Sequence, residues 1–283
     1  AHQRAAAFLR SERANSSDAP SVARLPDGEA FYAAALRIET TTALTPAQIH
    51  RIGLERVRAL NDQLDIALRR VGLTEGAVGR RLAQLTADPR YAYPDSDEGR
   101  AQLLADVQAR VARVQERAPQ WFGALPRAPL EVRRVPVFAE SGAPGAYYNP
   151  PALDGSTPGI YYINLRNLSE MTRIDLPTQD FHEAVPGHHF QIALAQEQTD
   201  IPLLRRLISF NAYSEGWALY AEQLADEQSF HEGDPIGRIG YLRWQLWRAA
   251  RLVVDTGLHA QNWTRQRAIE YLSETTGDAA GVV

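Results

Sequence analysis

The sequence predicts a mainly helical α+β fold, and three observations predict it. Long segments on both sides of the chain's middle repeat apolar residues every three to five positions, the spacing of an amphipathic helix. A central segment, residues 130 to 164, is rich in β-branched and tyrosine residues and carries no such stripe. Finally, 283 residues that are 45% hydrophobic can bury a sizeable core as one large domain or two small ones.

Composition narrows the function. All 30 basic residues are arginine, and 34 acidic residues balance them to a net charge of −4. Spread as they are, these charges form no basic face for nucleic acid. With no cysteine, a bound metal must be held by His, Asp or Glu, and disulfide or thiolate chemistry is excluded. No run of 18 apolar residues occurs, so no membrane span is expected. The chain starts Ala1-His2-Gln3-Arg4 without an initiator Met or a signal-peptide core, and is read as having lost its native start.

Residues 1–24 read as a helical stub, Ala5 to Glu12, and a link over Asn15 to Pro20. Residues 25–125 read as helical scaffold, beginning with Ala30 to Thr40. Thr45, Pro46 and Gln48 then have the order of an N-cap, an N1 proline and an N3 partner. The helix that follows runs towards Val71-Gly72 with Ile49, Ile52, Val57, Leu60, Leu64 and Leu68 on one side. Gly99 to Arg117 repeats the pattern through Leu103, Val107, Val111 and Val114. Residues 126–283 are the expected catalytic region. Its sheet, 130–165, comprises strands at Leu130 to Phe138, Gly145 to Asn149 and Gly159 to Asn164, the last two forming an antiparallel hairpin around Pro150-Pro151 and Asp154-Gly155. Helices that carry the site follow over 175–225, and a further helix over 236–260.

Chemistry concentrates in His182-Glu183-Ala184-Val185-Pro186-Gly187-His188-His189. Neutral imidazoles beside a carboxylate suit zinc. The spacing is not His-Glu-x-x-His, because Pro186 occupies the fourth position after His182. On an undistorted helix His188 lies about 120° round from His182, and His189 is roughly 10 Å further along the axis. Neither could share an ion with His182, so a distortion at Pro186-Gly187 is predicted. His188 is then the second ligand and His189 a substrate contact. The third ligand is expected from Ser214-Glu215-Gly216-Trp217-Ala218-Leu219-Tyr220-Ala221-Glu222, with Ser214 as N-cap and Glu215 favoured over Glu222, two turns on.

Three segments in order, Gly145-Ala146-Tyr147-Tyr148-Asn149-Pro150-Pro151, the His182 to Gln191 string and Glu215 to Glu222, resemble the bacterial family called domain of unknown function 885. That resemblance covers residue 25 to the C-terminus and implies a zincin-like fold with a small antiparallel sheet and an active-site helix pair. It also implies a metallopeptidase, a chain shorter than its relatives, and export to the periplasm or beyond. Glu215-Gly216-Trp217 is similar as well to the Asn-Glu-Gly-aromatic segment of gluzincin aminopeptidases, which implies that Glu215 binds zinc.

A metal on His182, His188 and Glu215 leaves one position for water, as at a catalytic zinc. Glu183 is then the general base, and a peptide or small amide is the substrate. Candidates to stabilise the oxyanion are Tyr147, Tyr148, His259, Arg248 and Arg251. The last three recur with Asp255 as a polar stripe opposite Trp244, Trp247, Leu252 and Val253, expected to be buried. An edge strand at Tyr147 or Tyr161 offers a place for an extended peptide. Hydrolysis of a non-peptide amide or ester, or an inactive scaffold that keeps the motif, are the alternatives.

Overall fold

The computed structural model describes residues 2–13 and 19–279, so residues 15–18 of the expected link lie outside it. The N-terminal stub is helix α1, His2–Glu12, with no buried residue. Helix α2 (Gly28–Thr40) is followed by the long α3 (Pro46–Arg70). The start of α3 is set by the expected local chemistry. Thr45 Oγ1 accepts from the Gln48 N–H at 3.3 Å, Gln48 Oε1 accepts from the Thr45 N–H at 2.8 Å, and Pro46 occupies N1. Helix α4 (Val78–Thr86), within the region expected to be helical scaffold, precedes α5 (Asp97–Arg117), capped by Ser96. Of the apolar residues assigned to the inner face of α3, Ile49, Val57, Leu64 and Leu68 are buried and Ile52 is exposed.

The sheet has three strands in the order β1 (Leu130–Arg134), β3 (Gly159–Ile163), β2 (Ala146–Asn149). Strands β2 and β3 form the expected antiparallel hairpin, with Tyr148 opposite Tyr161. The expectation of a wholly antiparallel sheet is corrected, because β1 runs parallel to β3. Strand direction depends on which partner the chain returns to, and here β3 passes between β1 and β2. Strand β1 also ends before Phe138. The Val135 N–H still donates to Ile163 O at 2.9 Å, but Pro136 has no N–H and the chain turns there.

The remaining helices are α6 (Leu176–Glu183), α7 (His188–Glu197), α8 (Leu203–Leu207), α9 (Asn211–Glu227), α10 (Pro235–Ala260) and α11 (Arg265–Thr276). Helix α3 packs along α10, so residues expected as scaffold and residues expected as catalytic region share one apolar core with α4 and α11. A second core fills the space between the sheet and α5 through Tyr161, Ile163, Leu103 and Val107. Helix α6 sits between these cores and is fixed by a buried polar contact. Asp180 accepts from Arg110 Nε at 2.6 Å and from Tyr161 Oη at 3.0 Å, which ties α6 to α5 and β3 together.

The distortion predicted at Pro186-Gly187 is a complete break between α6 and α7, with a cis peptide bond at Val185-Pro186. The chain folds back so closely that a Cβ on Gly187 would sit 1.8 Å from His182 O and 2.3 Å from Phe181 O. Backbone atoms cannot step aside as a flexible side chain does. Gly187→Ala is therefore expected to cost about 3 kcal/mol in chemical denaturation, and an unchanged midpoint would show that this close approach is not needed.

Candidate metal centre

Each half of the broken helix presents one imidazole. His182 lies in the last turn of α6, His188 is the first residue of α7, and their ring centroids are 4.7 Å apart at 81°. Helix α9 brings Glu215 across from the other side. It is held to the break by the Trp217 indole N–H, which donates to Pro186 O at 2.8 Å, and by Trp217 lying parallel to Phe190. Ser214 is not the N-cap expected for this helix. The helix begins one turn earlier, at Asn211, which puts Glu215 in its second turn and so rules out a helix-start role for that carboxylate.

Glu215 Oε2 lies 3.4 Å from His182 Nε2, and Oε1 lies 3.5 Å from His188 Nε2. These distances are long for hydrogen bonds. Each is close to the roughly 3.3 Å that separates two donors held about 2.0–2.1 Å from a tetrahedral ion, with one Glu215 oxygen toward each imidazole. One donor atom from each of the three residues falls within 4.8 Å of the others, and among the described residues this is the one group of histidines and acids that meets in this way. The donor set of two imidazoles and one carboxylate fits a divalent cation.

The rear of the site supports that geometry. Glu222, fully buried, places Oε1 2.8 Å from His182 Nδ1, and its other oxygen accepts from Gln245 Nε2 at 3.1 Å. An Nδ1–H that donates to Glu222 leaves the Nε2 lone pair directed at the cluster. Arg248 Nη2 donates to the same Oε1 at 3.1 Å. Its equal distance from His182 Nδ1 is then an approach of two donors around one acceptor. Glu215 thus faces the Nε2 atoms of both histidines, and Glu222 holds the first from behind through Nδ1.

Electrostatics separates the acids. Interactions with His182 and then His188 hold the Glu215 carboxyl well below the usual range. Burial pushes the Glu183 carboxyl up, against the opposing pull of His182 and His188. For His182, burial works downward, but the nearby carboxylates of Glu215 and Glu222 outweigh it and the net direction is up.

The other expected site residues divide into those at the cluster and those away from it. Arg248 is in contact with the cluster, and Arg251 lies one turn on, its guanidinium 4.6 Å from the centre of the Trp247 ring. Tyr148 reaches the His188 segment through His189, with Oη 2.9 Å from Nδ1. Burial pushes His189 down to about 4 and pushes the Tyr148 hydroxyl up, so at neutral pH a protonated phenol meets a neutral imidazole. Gly159 leaves the space for this pair, since a Cβ there would be 2.5 Å from Tyr148 Oη. Tyr147 points to the other face of β2 and stacks on Tyr162 at 5.1 Å, so it is not brought to the site. Nor is His259, which accepts the Val22 N–H at 3.2 Å, packs against Tyr32, and lies roughly 16 Å along α10 from Arg248. On the face expected to be buried, Val253 is buried, Trp244 and Trp247 are half-buried and Leu252 is exposed. The Asp180–Arg110–Tyr161 contact and the orienting role of Glu222 were not foreseen. The only hint of the latter was that Glu222 lies seven residues from Glu215, near the same helix face.

Two solved structures share this fold. One, from Colwellia psychrerythraea and described as a "putative lipoprotein", is 43% identical with a TM-score of 0.94, over 96% of this chain and 46% of that one. Another, described as a "putative lipoprotein of unknown function" from Shewanella oneidensis, is 17% identical with a TM-score of 0.75, over 98% of this chain and 50% of that one, and shows the fold alone. The chain thus spans about half the length of these relatives. No curated protein matches it. The matched region of the family described as bacterial protein of unknown function (DUF885) extends over residues 1–283, and the chain belongs to that family.

Proposed function

We propose that the chain is a zinc-dependent hydrolase of peptide bonds with a zincin-like active site, in which His182, His188 and Glu215 hold the metal. One observation carries this reading: donor atoms of the three residues lie within 4.8 Å of one another at the break between α6 and α7, and Glu183, next to His182 in sequence, interacts electrostatically with all three. Zinc, when bound, supplies a Lewis acid and makes a water molecule acidic enough to attack an amide near neutral pH. Glu183 follows the first ligand in sequence, and its carboxylate takes the proton from that water and returns it to the departing amine. Arg248 is the donor in contact with the cluster that an oxyanion would meet, whereas the Tyr148 hydroxyl is engaged with His189 Nδ1 at 2.9 Å. Both structural neighbours carry the word lipoprotein in their descriptions, which supports a location outside the cytoplasm. Among the described residues no helix is long and apolar enough to cross a membrane.

Metal analysis tests the reading directly. Protein loaded with zinc and dialysed is expected to keep one equivalent, and His182→Ala, checked for folding by circular dichroism, is expected to keep none. Zinc retained by that variant, or none held by the unaltered chain, would remove the metal from this site.

A further inference from the structure

A groove of about 780 Å³ opens from the cluster between α2, α9 and α10, with Glu215 and Arg248 in its wall. Its other charged lining residues are Arg251 and Asp255, and the rest of the lining is mainly apolar, including Leu36, Leu219 and Leu258. Both acids are engaged. Glu215 faces the two imidazoles, and Asp255 Oδ1 accepts the Tyr32 hydroxyl at 2.5 Å. Arg248 is engaged as well, through Glu222. Arg251 is the exception: it is exposed, lies over Trp247, and among the described residues has no carboxylate within ion-pair distance. Among the described residues Arg251 is thus a groove-lining guanidinium with no carboxylate partner, next to apolar walls, and its charge is offset only at a distance, by Asp255 one turn on. A guanidinium over an indole can still present its N–H edge, and that edge fits a carboxylate with two parallel hydrogen bonds.

Position says which carboxylate. Arg251 is three residues past Arg248, roughly 4.5 Å along the helix axis, and Arg248 touches His182. One residue of extended peptide spans about 3.3–3.6 Å. Arg251 and the proposed metal ligand Glu215 line the same groove, so a peptide whose terminal carboxylate meets Arg251 runs along the groove toward the cluster. We propose that this groove is a subsite for the free C-terminal carboxylate of a peptide, that Arg251 is its binding cation, and that the enzyme removes residues from the C-terminus. The cleavage part rests on the hydrolase reading above, whereas the carboxylate site does not.

Calorimetric titration of the Glu183→Gln protein, with and without zinc, separates the two. Three probes are used: N-acetyl-alanyl-alanyl-phenylalanine, its C-terminal amide, and N-acetyl-alanyl-alanyl-glutamic acid carrying a C-terminal amide, whose only carboxylate is in its side chain. The free acid is expected to bind about tenfold or more tighter than either amide, as a lost charge-assisted contact implies. Adding Arg251→Ala is expected to abolish that preference, and Arg251→Lys to keep part of it. Equal binding of the free acid and its amide, no binding of any probe, or a preference that survives Arg251→Ala would overturn the site. Tight binding of the glutamate probe would overturn its assignment to a chain terminus. If the preference holds but the unaltered zinc-loaded protein cleaves none of these peptides, the hydrolase reading fails and the carboxylate site stands.

Discussion

Replacing Glu183 with glutamine is expected to lower kcat by about 10²–10⁴ while leaving bound zinc at one equivalent, because a positioned general base contributes on that scale. The side chain keeps its size and loses only the capacity to take a proton. None of the three converging donors belongs to Glu183, so metal content separates this effect from loss of the site. Burial already raises its carboxyl above the ordinary range, which favours a group that must both accept and release a proton. Unchanged turnover in zinc-loaded Glu183→Gln would take the residue out of that role.

Legibility in the sequence followed the range of the interaction. Thr45, Pro46 and Gln48 announce the start of α3 because a cap is settled within four residues. Pro186 and Gly187 announce the break for the same reason: one lacks the N–H that a continuing helix would bond to His182 O, and the other admits an approach that any side chain would block. His182, His188 and Glu215 could be named before the fold, since a metal restricts donor types and Pro186 removes the usual partner. What depends on tertiary choice was hidden. The parallel pairing of β1 with β3 cannot be read from strands whose local pattern is the same in either direction. His259 shares a polar stripe with Arg248, but a helix of 26 residues carries such a stripe far beyond one site. Ser214 has the chemistry of a cap and lies inside the helix, because Asn211 to Tyr213 already continue it towards the N-terminus.

The pairing of His182 with Glu222, forty residues apart, leads to the second large effect. In Glu222→Ala the His182 Nδ1–H and Arg248 both lose their acceptor. Without the carboxylate that selects its tautomer and orientation, His182 is expected to bind zinc about 10–100-fold more weakly. Stability is a separate matter, because the guanidinium is left in a largely buried place with no countercharge. Breaking a buried pair from one side costs about 3–5 kcal/mol, and the 20% exposure of the Arg248 side chain puts this case at the low end. At about 2–4 °C per kcal/mol for a chain of this size, the melting temperature is expected to fall by roughly 6–12 °C. The double variant Glu222→Ala with Arg248→Ala distinguishes the two roles. Removing both charges is expected to recover part of the stability, since no unpaired ion remains, but the lost zinc affinity should not return, since His182 still lacks its partner. Recovery of both together would mean that Glu222 serves only to neutralise Arg248 and does not orient the imidazole.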